Sequence, residues 1–162
     1  MKENKIQKLK KIFPEYFSLF ELPEGAHEEA IKVYRACRTG QCDKESFLPT
    51  YEERGFQYFE HDNPQDPGIY SLSTYENPKH IKRFAAMNSD FLVPYKIAVG
   101  YTEPEYGLVQ RTSERKPQKR CGSHIDWWLY QNANPQEVFE LIPDFEEYLD
   151  EFLKERDEKN ES

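Results

Sequence analysis

The side chains best suited to chemistry in this sequence fall into three short motifs, at positions 34–35, 71–74 and 103–105. The first places Arg35 after an aromatic residue, the second reads Ser-Leu-Ser-Thr, and the third reads Glu-Pro-Glu. Carboxylates can stabilise developing positive charge, and arginine offers a planar fork of N–H donors. Glu103 and Glu105 stand at the first turn of a predicted three-strand segment, 94–130, so we expect any chemistry to gather there.

The signatures of several common enzyme classes are absent from the sequence. It contains no glycine-rich phosphate loop, no G-x-S-x-G elbow and nothing that resembles a calcium-binding loop. The three motifs are therefore the remaining basis for assigning an activity.

In their order and rough separation, the motifs resemble those of the arginine–serine–glutamate class of ADP-ribosyltransferases, over residues 33–130. In that family an arginine follows an aromatic residue on an early strand, a Ser-Thr-Ser stretch lies on a central strand, and a Glu/Gln-x-Glu motif opens a later strand. This chain has Ser-Leu-Ser at the second motif. The resemblance implies NAD as cofactor and transfer of its ADP-ribosyl group to a macromolecular acceptor.

The resemblance also implies roles for individual residues. Glu105 would stabilise the oxocarbenium-like state that forms when the nicotinamide–ribose bond breaks. Ser71 or Ser73 would orient Glu105 and the ribose by hydrogen bonding, and Arg35 would bind the pyrophosphate.

Further contacts follow from the same resemblance, each with a structural alternative. Glu103 would share a face with Glu105 in an extended segment and act on the acceptor. Tyr75 or Phe84 would stack on nicotinamide, although helical spacing also suits Phe84 to the core. Glu-Pro-Glu is equally typical of an exposed turn.

A second constellation is compatible with a structural zinc site but does not favour one. Cys37, Cys42, Cys121 and His124 include glycine-flanked cysteines and could form a closed structural tetrahedron. Against this, Cys37 fits the apolar stripe of a predicted helix, and a buried unpaired cysteine is common. The sequence leaves both interpretations open.

The alternative function is a non-catalytic module that binds protein or nucleic acid. Its basis is the basic loop 115–120, which carries Arg115, Lys116, Lys119 and Arg120. The net charge of -8 opposes general binding to nucleic acid, although a local patch can override it. A solvated hairpin loop also explains these charges.

Periodicity predicts the elements that carry these motifs. Apolar residues at helical spacing predict helices in 2–22, 26–38 and 134–152, with Pro14 and Pro143 as breaks. Residues 32–35 also suit a short strand, and this choice stays open. Asn77-Pro78 predicts a helix start, and strands are predicted at 69–74, 95–101, 107–112 and 124–130.

These elements predict an α+β fold in which N-terminal helices and a C-terminal amphipathic helix accompany a small, mostly antiparallel sheet. The 162 residues suit a single domain, with 157–162 as a disordered tail. Aromatic residues make up 15% of the chain and indicate an aromatic core. With three cysteines and neither a membrane-length apolar run nor a signal-peptide core, we expect a cytoplasmic protein.

Overall fold

An antiparallel sheet of six strands forms the centre of the computed structural model, which describes residues 9–88, 95–116 and 122–160. The strands are β1 (Lys32–Cys37), β2 (Leu72–Tyr75), β3 (Lys96–Tyr101), β4 (Gly107–Arg111), β5 (His124–Leu129) and β6 (Phe139–Leu141). The α-helices are α1 (Thr50–Glu53), α2 (Pro78–Asn88), α3 (Thr112–Arg115) and α4 (Phe145–Asn160). Short 3-10 helices occupy Glu15–Leu19, Glu45–Phe47, Pro67–Tyr70 and Pro135–Val138.

The sheet has the strand order β4-β5-β2-β1-β3-β6, and its pairing is weakest in the middle. β1 pairs with β3 from Lys32↔Tyr101 to Cys37↔Lys96. By contrast, β1 and β2 pair at Tyr34↔Tyr75 alone. The two central strands therefore meet at one end and separate along the rest of their length.

Both halves of the sheet contribute to one apolar core on the inner face. Val33, Ala98 and Phe139 come from the β1-β3-β6 half, and Leu72, Val109 and Trp127 come from the β4-β5-β2 half. These side chains form a single buried cluster, which requires the sheet to curl so that its halves face each other.

Two further clusters cover the outer face. One is aromatic and includes Tyr51, Tyr70 and Trp128. The other packs α2 and α4 against β1 and includes Tyr34, Ile81 and Ile97, with Phe145 and Tyr148 partly buried beside them. The polar groups on the outer face consequently lie between these two apolar clusters.

The predicted α+β class, the antiparallel sheet and the C-terminal helix are confirmed. The strands predicted at 95–101, 107–112 and 124–130 and the helix predicted from Pro78 are also present, with small shifts at their ends. Helix α4 ends at Asn160, inside the tail predicted for 157–162.

The helix predicted for 26–38 is wrong, because Lys32–Cys37 forms β1. Every residue of β1 after Lys32 is buried. A strand covered on both faces does not alternate between apolar and polar residues, so its pattern resembles that of a buried helix. The strand alternative for 32–35 is the correct one.

Two other helical predictions fail in part. Of the predicted helix at 2–22, the described residues from Leu9 onward contain only the 3-10 helix Glu15–Leu19, which begins immediately after Pro14. The start of the 134–152 segment forms a 3-10 helix and β6, and α4 begins after Pro143. Here packing of individual aromatic side chains outweighs helical propensity.

Candidate functional site

A cavity of about 360 Å³ lies where β1 and β2 separate. Its lining includes Arg35, Arg38, Arg54, Glu53, Ser73 and Tyr95. Three of the charged residues are arginines and one is a glutamate, so the cavity is locally cationic although the chain is acidic. Such a cavity suits an anionic ligand.

Arg35 forms hydrogen bonds to both sides of this cavity. Its side chain leaves β1 and is buried, with only 7% of the residue exposed. Nε donates to the carbonyl oxygen of Ser46 at 2.9 Å, and Nη1 donates to the carbonyl oxygen of Ser73 at 3.0 Å. The guanidinium thus satisfies a β2 carbonyl that the short β1–β2 ladder leaves available.

The charge of Arg35 is only weakly compensated. Nη2 lies 3.5 Å from Oε2 of Glu53. Burial lowers the pKa of Arg35, while the Glu53 carboxylate raises it. The ordinary pKa of arginine is so high that the guanidinium remains protonated. The cavity therefore contains a buried, fixed cation.

Arg38 and Arg54 differ in how firmly they are held. Arg54 forms an ion pair with Asp62, and its guanidinium carbon lies 3.9 Å from the centroid of the Phe59 ring. In contrast, the buried Nε of Arg38 has no hydrogen-bond partner within the described part of the chain. A buried donor without a partner is costly unless a ligand satisfies it.

Next to the cavity, β2 and β5 carry a buried polar network. Ser73 stands opposite Asp126 in the β2–β5 register, so their side chains share one face of the sheet. Asp126 is fully buried. It accepts hydrogen bonds from Ser71 Oγ at 2.5 Å, Thr112 Oγ1 at 2.8 Å and Arg115 Nη2 at 2.8 Å.

These partners keep Asp126 ionised. Burial alone would raise the pKa of the carboxyl group, but nearby His124, the hydrogen bond from Ser71 and the Arg115 guanidinium outweigh that effect and lower it. Asp126 is thus a buried anion beside a serine that lines the cavity.

Arg35 and Ser73, two of the residues predicted from the sequence, meet at this cavity. Ser71 donates its hydroxyl hydrogen bond to Asp126. Tyr75 is on the same face, with ring centroids 6.0 Å from Phe84 and 5.1 Å from His124. Phe84 contributes to the cavity wall.

Glu103 and Glu105 lie elsewhere, in the connection between β3 and β4, and neither lines the cavity. Burial and the charge of Glu105 raise the pKa of Glu103. Glu105 acts electrostatically on Tyr130, whose pKa is raised mainly by burial. The structure does not bring these two carboxylates together with Arg35 and Ser73.

Asp126 was not among the candidate residues predicted from the sequence. One signal was available, because Asp126 is the single acid in the otherwise apolar run Ile125–Leu129. Aspartate is rarely buried unless it is paired, so an acid inside a buried strand indicates a built polar network. Arg38 and Arg54 carried no comparable signal.

The basic loop is partly engaged in ion pairs. Arg115 donates to Asp126 and also to Gln110 Oε1 at 2.7 Å. Lys116 lies 3.0 Å from Asp66. Lys119 and Arg120 lie outside the described residues. Arg115 thus connects the loop to β4 and β5, and Lys116 connects it to the start of the 3-10 helix Pro67–Tyr70.

The predicted zinc constellation is only partly described, because Cys121 lies outside the described residues. Cys37 is buried, and a hydrogen bond to Cys42 together with burial raises the pKa of its thiol. His124 Nδ1 contacts Thr112 Oγ1 at 2.6 Å. Across 9–88, 95–116 and 122–160, no three metal-ligating side chains form a group that could hold an ion.

A larger cavity of about 480 Å³ lies at one edge of the sheet, beside β6. Its charged lining residues are Lys32, Glu137 and Glu140. Lys32 is exposed, and among the described residues that line this cavity none is a buried cation or part of a polar network like the one at Asp126. The smaller cavity at Arg35 is the better candidate.

No helix within the described ranges is both long and apolar enough to cross a membrane. Comparison of the chain with family models, with curated proteins and with solved structures found no match.

Proposed function

We propose that this protein binds NAD in the cavity between β1 and β2 and transfers the ADP-ribosyl group to a macromolecular acceptor. The observation that carries the proposal is the hydrogen bond between Arg35 on β1 and Ser73 on β2, inside an arginine-lined cavity. The resemblance in the sequence implies an arginine and a serine acting on one dinucleotide. Their contact across the strand gap supports that pairing.

The charges of the cavity suit the pyrophosphate of NAD. Arg35, Arg38 and Arg54 supply planar donor groups, and forked donors bind phosphate oxygens in pairs. In this proposal Arg35 is the fixed anchor, and Arg38 supplies its Nε donor, which no described group of the protein uses. The cavity volume of about 360 Å³ lies within the usual range for ligand sites.

Asp126 takes the role that the resemblance assigns to Glu105. The resemblance implies a serine that hydrogen-bonds to the charge-stabilising carboxylate, and Ser71 makes such a bond to Asp126. When the nicotinamide–ribose bond breaks, positive charge develops on the ribose. A buried carboxylate on the Ser73 face stabilises that charge electrostatically, because the field of an ion is strong away from water.

The test is nicotinamide release from NAD by the purified protein, compared with Asp126→Asn and Glu105→Gln. We expect Asp126→Asn to reduce release by about 100-fold while Glu105→Gln stays near the wild type. NAD binding by calorimetry and thermal unfolding are measured on each variant, so that loss of activity is separated from loss of fold.

Two results would count against the proposal. If the wild type neither binds NAD nor releases nicotinamide when cell extract is added as a source of acceptor, the NAD-dependent activity is wrong. If Glu105→Gln abolishes release and Asp126→Asn retains it, the activity stands and the assignment of the carboxylate is wrong.

A further inference from the structure

A continuous hydrogen-bonded relay connects His124 to the buried anion. His124 Nδ1 lies 2.6 Å from Thr112 Oγ1, and Thr112 Oγ1 donates to Asp126 Oδ2 at 2.8 Å. An ionised carboxylate can only accept, so the single hydroxyl proton of Thr112 points to Asp126. Thr112 therefore accepts from His124, which places the imidazole proton on Nδ1.

That tautomer leaves a lone pair on Nε2 of His124. Within the described part of the chain, Nε2 has no hydrogen-bond partner. The residue as a whole is half-buried. His124 is thus arranged as a base. The Asp126 carboxylate orients its Nδ1 side through the Thr112 hydroxyl, and the lone pair is on Nε2.

The surroundings keep this imidazole neutral. Burial lowers the pKa of His124, the Asp126 carboxylate raises it, and nearby cations lower it further. The charged groups close to the ring are Asp126 on β5, Arg115 and Lys116 at and just after α3, and Arg35 on β1. Tyr75 on β2 packs its ring edge-on at 5.1 Å. His124 is therefore in its basic form at neutral pH.

The position of His124 relates it to the proposed NAD site. In the β2–β5 register, Ser73 is opposite Asp126 and Tyr75 is opposite His124. Ser73 and His124 are thus diagonal neighbours on one face of the sheet, about 7–8 Å apart. A ribose held against Ser73 would therefore have His124 as a neighbour on the same face of the sheet.

We propose that His124 is the general base for the acceptor, and that the acceptor nucleophile is a hydroxyl group. This inference rests on the proposed function. The acceptor O–H bond breaks and its proton moves to Nε2, while the oxygen bonds to C1′ of the ribose. The C1′–nitrogen bond breaks, and its electron pair neutralises the nicotinamide ring. An acidic acceptor would need no base, so the relay indicates an alcohol.

The experiment measures nicotinamide release with water, methanol and azide as nucleophiles, in the wild type and in His124→Asn. Asparagine can keep a donor toward Thr112 but provides no base. We expect release with water or methanol to fall about 100-fold, NAD affinity to stay within about twofold, and azide to restore release, because an anion has no proton to lose. His27→Asn serves as the matched control.

Thr112→Val supplies an independent readout. Removing the hydroxyl uncouples His124 from Asp126, so we expect the acidic limb of the pH–rate profile to move to lower pH and the maximal rate to fall. Thr112→Ser keeps the relay and should retain the wild-type profile. Thermal unfolding of each variant shows whether the fold is intact.

The outcomes separate the two proposals. Absence of NAD binding and of nicotinamide release in the wild type would overturn both. If the wild type is active and His124→Asn releases nicotinamide equally well with water, the assignment of His124 is wrong. A loss in His124→Asn that azide does not restore, together with an unchanged pH profile in Thr112→Val, would also overturn it.

Discussion

Arg35 and Ser73 are joined across the gap between the two central strands by a hydrogen bond of 3.0 Å, from Nη1 to the Ser73 carbonyl oxygen. β1 and β2 share one register pair, Tyr34↔Tyr75, so this side-chain contact stands where ladder hydrogen bonds would otherwise continue. A buried cation at a strand separation costs stability through desolvation. Its presence is consistent with the anion-binding role proposed above.

The two arginines nearest this gap should respond differently to substitution. Arg35→Gln should weaken NAD binding and also lower the melting temperature, because two carbonyl oxygens lose a charged donor. Arg38→Gln should raise the dissociation constant for NAD about tenfold and leave the melting temperature unchanged, since its buried Nε has no partner to lose. Calorimetry and thermal unfolding test both, and equal effects of both variants on the melting temperature would contradict this division.

The ion pair between Arg115 and Asp126 should be important for stability. Arg115 donates to a carboxylate that is fully buried, and Arg115→Met leaves that charge without its cationic partner. We expect the free energy of unfolding in urea to fall by about 3 kcal/mol. The matched control is Lys116→Met, which removes a partly exposed pair with Asp66 and should cost less than about 1 kcal/mol. Similar losses in the two variants would argue against the role assigned to burial.

Two histidines should contribute to pH-dependent stability with opposite sign. The pKa of His124 is lowered by burial from 6.5, so the unfolded chain binds more protons and the contribution of His124 is lost as pH falls below that value. The pKa of His27 is raised by hydrogen bonds to Glu29 and to the Gly25 carbonyl. Its contribution is complete below 6.5 and is lost as pH rises through the raised value.

Urea unfolding from about pH 7.5 to 5.5 tests these signs. As pH falls, the stability of the wild type relative to His124→Asn should decrease, and its stability relative to His27→Asn should increase. Parallel trends in the two comparisons would show that one of the assignments is incorrect.

Glycine at the start of β4 should be required by close packing. A Cβ atom on Gly107 would lie 2.0 Å from the Trp128 carbonyl oxygen on β5. Gly107→Ala should therefore destabilise the protein by about 3 kcal/mol. Gly55 has a φ of +70° with open space around it, so Gly55→Ala should cost only about 1 kcal/mol of backbone strain. Chemical denaturation measures both, and the reverse order would be inconsistent with the β4–β5 register.

Local sequence patterns were sufficient for several elements that position the site. Helix α2 begins at the Asn77-Pro78 signal, and strands β3, β4 and β5 follow runs rich in β-branched and aromatic residues. The same patterns failed at β1, where burial on both faces removes the alternation that marks a strand. The motif made Arg35 a candidate residue, while the sequence left open whether 32–35 is a helix or a strand.

The identity of the buried carboxylate could not be read from motif spacing. Glu103 and Glu105 share a recognisable Glu-x-Glu pattern. The acid that Ser71 contacts is instead Asp126, which lies 55 residues after Ser71 in the chain. That contact exists because β5 pairs with β2 in a register that puts Asp126 opposite Ser73. A shift of one residue would turn Asp126 to the other face of the sheet.

One physical reason explains why the sequence determined some features of this protein and the tertiary structure decided the others. Residue chemistry and short-range periodicity are local, so the sequence indicated the α+β class, the strands after α2 and the candidate residues Arg35 and Ser73. Strand order and register depend on how distant apolar faces pack into a common core. Packing alone therefore decided that β1 and β2 separate, that Arg35 bridges them, and that Asp126 and His124 lie beside Ser73.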